Sequence, residues 1–509
     1  VELFRLQLYP LERDPLRFKA IATAPKGSTA DSEVTLPFLD GEADRRFTVV
    51  KMLEATQFRL TDFAKEEDRD WMVRVQLLHP DQDGFQRNWL KRIGQLLYDS
   101  LGNEIQALLQ ASLAQAKQQN VWLHVRLEFP QDAPKFVRLT DYPWEIMADD
   151  REHLTLQGTT FSRYITYSSP APNIAASEAL NVLLVASRAS DSLLGLEALP
   201  NREAAAIATG LEHATAQGKI HLEKLPAVTR KALRSSLMKH SGSSRPHVLH
   251  FDGHGYFGRR CDRDGCGRMH KPVGTERCEA CQNILGEPQG YLLFEDEAGG
   301  PDYISARELG ELLGNLALSE VPDSPQGIVL AVLSGCKTGL SLLQDSVFNG
   351  VAQNLISQGI PAVVAMQYSV SVGAAGNFAE AFYQSLGKAE SVAIALRRGQ
   401  SAMGIEGQQW YRPVLYLRWM DNEGGQLFAA EANDSSLSNS VTRPENSPMA
   451  PQASSARQGF YQRQMARLEE ELAAVESDLE SAPREVDRLR LEKAAEQLLE
   501  KIEKLRAKS

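Results

Sequence analysis

HVLHFDGHG, residues 247–255, and IVLAVLSGCKTG, residues 328–339, decide how this chain folds. Each is a short run of Val, Leu, Ile or Phe that breaks into a small-residue turn, and each turn carries one reactive side chain, His254 in the first and Cys336 in the second. Apolar runs of this length, alternating with segments of helical spacing, belong to buried parallel strands. From Leu180 the alternation is regular. LNVLLVAS, IHLEKL, HVLHF, IVLAVL and PAVVAM read as strands, with helices over 200–216 and near 228–239, 304–314, 346–358, 374–386 and 390–403, and RPVLYLRW supplies a last strand. The expected fold is an α/β three-layer α/β/α sandwich over residues 171–427 with a mainly parallel sheet. Ligands gather beyond the carboxyl ends of such strands. If the two strands are neighbours, the imidazole and the thiol share one cleft.

Working outward, residues 1–170 predict an N-terminal α+β lobe. VELFRLQLYP, FKAIATAP, RFTVVKML and WMVRVQLL read as strands between polar turns. From Trp89 to Gln118, Leu90, Ile93, Leu97, Leu101, Ile105, Leu108 and Leu109 recur at three and four, the spacing of one long amphipathic helix. VWLHVRLEF and FSRYITY are strands again, and this lobe is expected to extend the sheet of the next domain. Residues 428–457, rich in Ser, Asn, Pro and Ala, read as a flexible linker. In 458–509, Leu468, Leu472, Val475 and Leu479, then Leu491, Ala495, Leu498, Ile502 and Leu505, form two apolar seams separated by Pro483. This predicts a helical hairpin that closes on itself and on a partner; a solvated charged helix is the alternative.

The 509 residues suffice for two or three domains, and 43% apolar with 24% charged residues is a soluble globular balance. A net charge of −11 argues against binding nucleic acid through its phosphates. No apolar run near twenty residues occurs and the first residues are charged, so neither a membrane span nor a signal peptide is expected, and the expected location is the cytoplasm. There, clustered cysteines hold metal rather than form disulfides. Four of the five cysteines stand in CDRDGCGRMHKPVGTERCEAC, residues 261–281. Cys261, Cys266, Cys278 and Cys281 are spaced for a four-thiolate zinc site, with His270 able to replace one of them. The insert, 259–283, is too polar to fold by burial, so zinc would stabilise it in a structural role. Unligated or redox-active cysteines are the alternative.

Cys336 stands apart from that cluster. An imidazole near a thiol raises the thiolate fraction and can return a proton to a leaving amine. The backbone N–H groups of Gly255 and Cys336 are candidates for an oxyanion hole. Taken singly, Cys336 and His254 also fit packing and hydrogen-bonding roles. Their matching positions at two strand ends favour chemistry, and His250, within the strand, reads as structural.

LHFDGHG and VLSGCKTG, with LTDYPWEIM upstream, PDYISARELGELL between and GIPAVVAMQYSV and RPVLYLRW downstream, resemble a CHAT domain, a bacterial relative of caspases, separase and gingipains, over roughly 120–420. The resemblance implies a caspase-like cysteine endopeptidase acting on a protein substrate, with His254 as base and Cys336 as nucleophile. Separase-like relatives carry acidic residues after the later strand, whereas this chain has MQYSVSVG. Ser369 lies in that segment, and Asp252 or Asp345 could supply a substrate-binding charge. The tail resembles effector-associated modules that join bacterial conflict effectors to NTPase sensors. It implies a latent protease of antiphage defence or programmed cell death, recruited through 458–509. A non-catalytic adaptor and a zinc-dependent hydrolase are the competing readings.

Overall fold

Apolar runs from Glu2 to Leu417 meet in a single sheet. The protein is described by a computed structural model covering residues 1–428 except 12, 56–58, 60–61, 81–83, 131–138, 168–170, 173, 175–176, 240–243, 273, 315–326, 335–346, 405–408 and 420–423. Cys336, Asp345, the linker beyond Phe428 and the tail hairpin thus lie outside the described residues. The first strands are β1 (Glu2–Leu11), β2 (Asp14–Thr23) and β3 (Thr29–Thr35), followed by the two-residue β4 (Leu39–Asp40) and β5 (Ala43–Asp44). Helices α1 (Arg46–Glu54), α2 (Glu66–Arg74), α3 (Trp89–Asp99) and α4 (Asn103–Gln118) precede β6 (Leu123–Pro130) and β7 (Thr159–Thr166).

Two of the expected strands are helices instead. In RFTVVKML, Val49, Met52 and Leu53 are buried, and in WMVRVQLL Trp71 and Met72 join Asp68. Both sets follow the three-and-four spacing of a helix face. The β-branched Thr48, Val49 and Val50 hid this periodicity, while Asp44 Oδ1 accepts the Arg46 N–H at the entry to α1 (3.0 Å). The long helix expected over 89–118 is two, because Gly102 adopts φ +79°. Any side chain there would be strained, and its Cβ would meet Ser32 Oγ at 2.7 Å.

The later elements match the expected alternation: β8 (Leu180–Ala186), α5 (Arg202–Ala216), β9 (Ile220–Lys224), α6 (Arg230–Lys239) and β10 (Val248–Asp252). Four strands that the sequence reading did not identify follow: β11 (Gly255–Arg260), β12 (Met269–His270), β13 (Gln289–Glu295) and β14 (Pro301–Ser305). Then come α7 (Ala306–Gly314), β15 (Leu330–Ser334), α8 (Val347–Ser357), β16 (Ala362–Met366), α9 (Val372–Gly387), α10 (Val392–Ala402) and β17 (Pro413–Leu417).

Among the described residues the main sheet has eleven strands, in the order β3-β2-β1-β6-β7-β17-β16-β15-β10-β8-β9. Only β1–β2, β2–β3 and β16–β17 pair antiparallel, so the sheet is mostly parallel. Strands β11 to β14 form a separate sheet in the order β12-β11-β13-β14. Side chains of the main sheet alternate between two cores. Val182 and Leu184 face the layer of α5, α9 and α10, whereas Leu183 and Val185 face that of α6, α7 and α8. The N-terminal strands therefore extend the sheet that carries β10 and β15. Phe428, expected in the linker, is buried, and its segment pairs with Ser177. No helix among the described residues is long and apolar enough to cross a membrane.

Candidate active site and metal centre

β10 and β15 are neighbours and parallel, with Asp252 opposite Ser334. Beyond β10 the chain turns at Gly253, where a Cβ would lie 2.6 Å from the Phe251 ring and 3.0 Å from Ser187 Cβ, so only glycine fits. Gly253 N–H donates to Ser334 O (3.3 Å) and Leu293 N–H to His254 O (2.9 Å), fixing His254 between the two sheets. The ring is 4% exposed. Nε2 donates to the backbone carbonyl of Glu197 in the β8–α5 connection. A carbonyl can only accept, so Nε2 holds the proton and Nδ1 is the basic atom of the neutral ring. Nδ1 is buried and has no partner among the described residues, and the same is true of Ser334 Oγ, two residues before Cys336.

The other residues singled out in the sequence fall in different places. His250 is fully buried between Tyr383 OH (3.0 Å) and Glu203 Oε1 (3.1 Å), as a structural histidine would be. Asp252 is 2% exposed and its Oδ2 accepts from Arg188 Nη2 (2.6 Å). Burial first, and then the charge of Glu203, push its carboxyl above the usual range against the pull of Arg188. Its charge is thus turned inward. Gly255 is buried at the start of β11 opposite Leu292. Ser369, half-buried just past β16, donates its N–H to Glu54 Oε2 (3.1 Å). Sequence reasoning did not find the Glu197 carbonyl, because a backbone acceptor leaves no mark in residue types.

Cys261 directly follows β11, whose first residue adjoins His254. The sulfurs of Cys261, Cys266, Cys278 and Cys281 all lie within 4.8 Å of one another, with Cys261–Cys281 at 3.5 Å and Cys266–Cys278 at 3.6 Å. A tetrahedral zinc with Zn–S bonds of ~2.3 Å sets its sulfurs about 3.8 Å apart, so the donor set fits. Two residues beyond each cysteine a backbone N–H (Arg263, Arg268, Ala280 and Asn283) donates to its sulfur. Such bonds favour thiolates, and the Asn283 amide is the main reason the Cys281 thiol falls to about 6. Around Cys266, Gly265 and Gly267 at φ +74° and +58° make the turns. His270 stands outside the quartet, its Nε2 3.3 Å from Cys278 Sγ. Among the described residues the buried local core is Cys261, Cys278 and Leu285, too little to hold the loop by apolar burial.

No curated protein matches the chain. Its fold is similar to that of the Saccharomyces cerevisiae separase in complex with securin (11% identity, TM-score 0.35, 82% of this chain) and to a Geobacter sulfurreducens protein (13%, TM-score 0.27, 50% of this chain and 100% of the other). The chain spans 30% of the length of that separase chain. Residues 452–508 match effector-associated domain 9, and residues 91–416, more than half the chain, match the CHAT domain. The chain therefore belongs to the CHAT-domain family of caspase-like proteins.

Proposed function

We propose that the protein is a cysteine endopeptidase in which His254 Nδ1 takes the proton of the Cys336 thiol. The observation that carries this reading is the ring of His254, anchored through Nε2 and left with a buried, unpartnered Nδ1 among the described residues. Cys336 follows Ser334, the last residue of β15, by two positions in the sequence. His254 follows the paired Asp252 by the same two residues. In the reaction the sulfur bonds to the substrate carbonyl carbon as its proton passes to Nδ1, with N–H groups such as those of Gly255 and Cys336 receiving the oxyanion. The C–N bond then breaks, and Nδ1 returns the proton to the departing amine. Water, deprotonated by Nδ1, opens the thioester, releasing the acid and restoring the thiol.

Cys261, Cys266, Cys278 and Cys281 would hold one zinc ion, which when bound crosslinks the insert. A four-sulfur site leaves no position for substrate, so its role is structural. The match to effector-associated domain 9 supports recruitment of the enzyme to a protein partner, such as an NTPase sensor, through the tail. A latent effector of antiphage defence or cell death acting in the cytoplasm is consistent with that arrangement. The test is N-terminal mapping of cellular proteins after induction of the wild type and of Cys336→Ala. New termini confined to the wild type support the endopeptidase; a cellular effect that survives Cys336→Ala, with no new termini, assigns the adaptor instead.

A further inference from the structure

The carbonyl that receives the His254 ring proton stands in the connection between β8 and α5, and one side chain ties that connection together at both ends. Arg188, two residues past β8, sends Nη1 to Ser187 O (2.8 Å) and Nη2 to Asp252 Oδ2 (2.6 Å). Its Nε donates to Asn201 Oδ1 (2.9 Å), just before α5. Asn201 is the N-cap of α5, where an Asn side chain ordinarily accepts from the first turn of its own helix. Here it makes no such bond, and its oxygen serves Arg188 instead. The Arg188 backbone N–H donates to Glu295 Oε1 of β13 (3.0 Å). Between the two ends, Asp191 and Leu196 pair across a turn, Tyr303 OH donates to Asp191 Oδ2 (2.8 Å), and Leu196 is buried in a cluster with Ala189, Leu293 and Tyr303. Glu197 follows directly.

We propose that Arg188 is a positioning residue for the reaction, holding the Glu197 carbonyl against Nε2 of His254 by closing the loop that carries the carbonyl onto the strand end that carries the ring. The proposal rests on the reading of His254 as base. Asp252 ends β10 and stands two residues before His254, so a guanidinium bound to its carboxylate is fixed to the histidine's own strand. That bond is charge-assisted and Asp252 is buried, which makes it the firmest of the contacts. The same planar group holds Ser187 O and Asn201, the two ends of the loop, through donors whose directions its fork sets. Acceptor and ring are thereby registered against one anchor. Without Arg188 the loop loses its far attachment, Glu197 O is free to drift from Nε2, and the ring is free to turn Nδ1 away from the thiol proton it must receive.

The experiment uses the full chain and reads iodoacetamide alkylation of Cys336 at pH 7 by peptide mass spectrometry, in a double-mutant cycle with His254→Ala. Arg188→Gln is expected to slow alkylation about threefold when His254 is present and to leave the rate unchanged in His254→Ala, because Arg188 acts through the ring. Arg188→Lys keeps a charge for Asp252 but lacks the fork, and should restore roughly half of the lost rate. Asn201→Ala frees the far end of the loop and leaves the Arg188–Asp252 pair in place. It should slow alkylation about twofold, again through His254, with Tm retained, and it decides the matter if Arg188→Gln does not fold. Loss of a positive charge or of local stability, with no positioning role, would slow both backgrounds equally. Equal slowing in the two backgrounds, or no slowing by either Arg188→Gln or Asn201→Ala, overturns the role of Arg188 and leaves the protease reading intact. If His254→Ala itself does not slow alkylation, the base reading falls and takes this proposal with it.

Discussion

In the proposed endopeptidase His254 and Cys336 carry the chemistry, and neighbouring residues set its tolerance to change. Replacement of His254 by Ala removes the proposed general base and should lower kcat/KM for a cleaved peptide by roughly 10²–10⁴-fold, with little change in Tm. Arg163 is fully buried with Glu145, so Arg163→Met strands a buried carboxylate and should cost about 3–5 kcal/mol in denaturant unfolding. A loss below 1 kcal/mol would contradict that account of the pair. Glu308 in the first turn of α7 titrates differently. Burial alone would raise its carboxyl, but Arg260 and Arg230, with the Ser305 N–H and hydroxyl, bring it down to about 2 from an ordinary 4.5. A depressed carboxylate stabilises the fold above its unfolded pKa and loses that contribution as pH falls through the folded one. The stability advantage of wild type over Glu308→Gln, roughly 2–3 kcal/mol at neutral pH, should therefore shrink between pH 4.5 and pH 2. Denaturant titrations at several pH values check it. The burial of His254 just past the apolar strand β10 was legible in the sequence, whereas Cys336 lies outside the described residues. The Glu197 carbonyl was not legible, since it reaches the His254 ring through tertiary packing between residues far apart in the chain.

At the scale of elements, β11 is the informative one: its six residues run from next to His254 to next to Cys261. Its pairing with β13, and the Leu293 bond to His254 O, make the strand a mechanical link between the insert and the ring. Removing the metal with a chelator should release about one zinc per chain, raise amide exchange across β11 and β12, and slow cleavage. Unchanged exchange in β11 would mean the insert does not support the cleft. The insert was legible from cysteine spacing alone, because ligand chemistry is local. The small sheet of β11 to β14 was not: its strands are short and separated by polar loops, so no periodicity announces them. The strand reading of α1 and α2 failed for a related reason, β-branched residues overriding a helical burial pattern in segments of nine residues.

For the whole molecule, the continuous sheet matters most. β7 joins β17 directly, and the N-terminal strands continue outward from β7. A chain beginning at residue 171 would expose the β17 edge together with the apolar face beneath α9 and α10, and is expected to aggregate. Residues 1–431 should fold and react with peptides without the tail. A soluble, cooperatively unfolding 171–431 fragment would show that the lobes are independent. The extended sheet was anticipated from strand-like runs at 121–129 and 161–167, but the strand order was not, because parallel pairing depends on crossovers that sequence periodicity does not encode.

The most direct test of the dyad is the rate at which iodoacetamide alkylates Cys336 at pH 7, measured by peptide mass spectrometry in wild type and in His254→Ala. If Nδ1 shares the thiol proton, the variant reacts at least several-fold more slowly while its fold, judged by Tm, is retained. Equal rates in the two proteins would contradict the account.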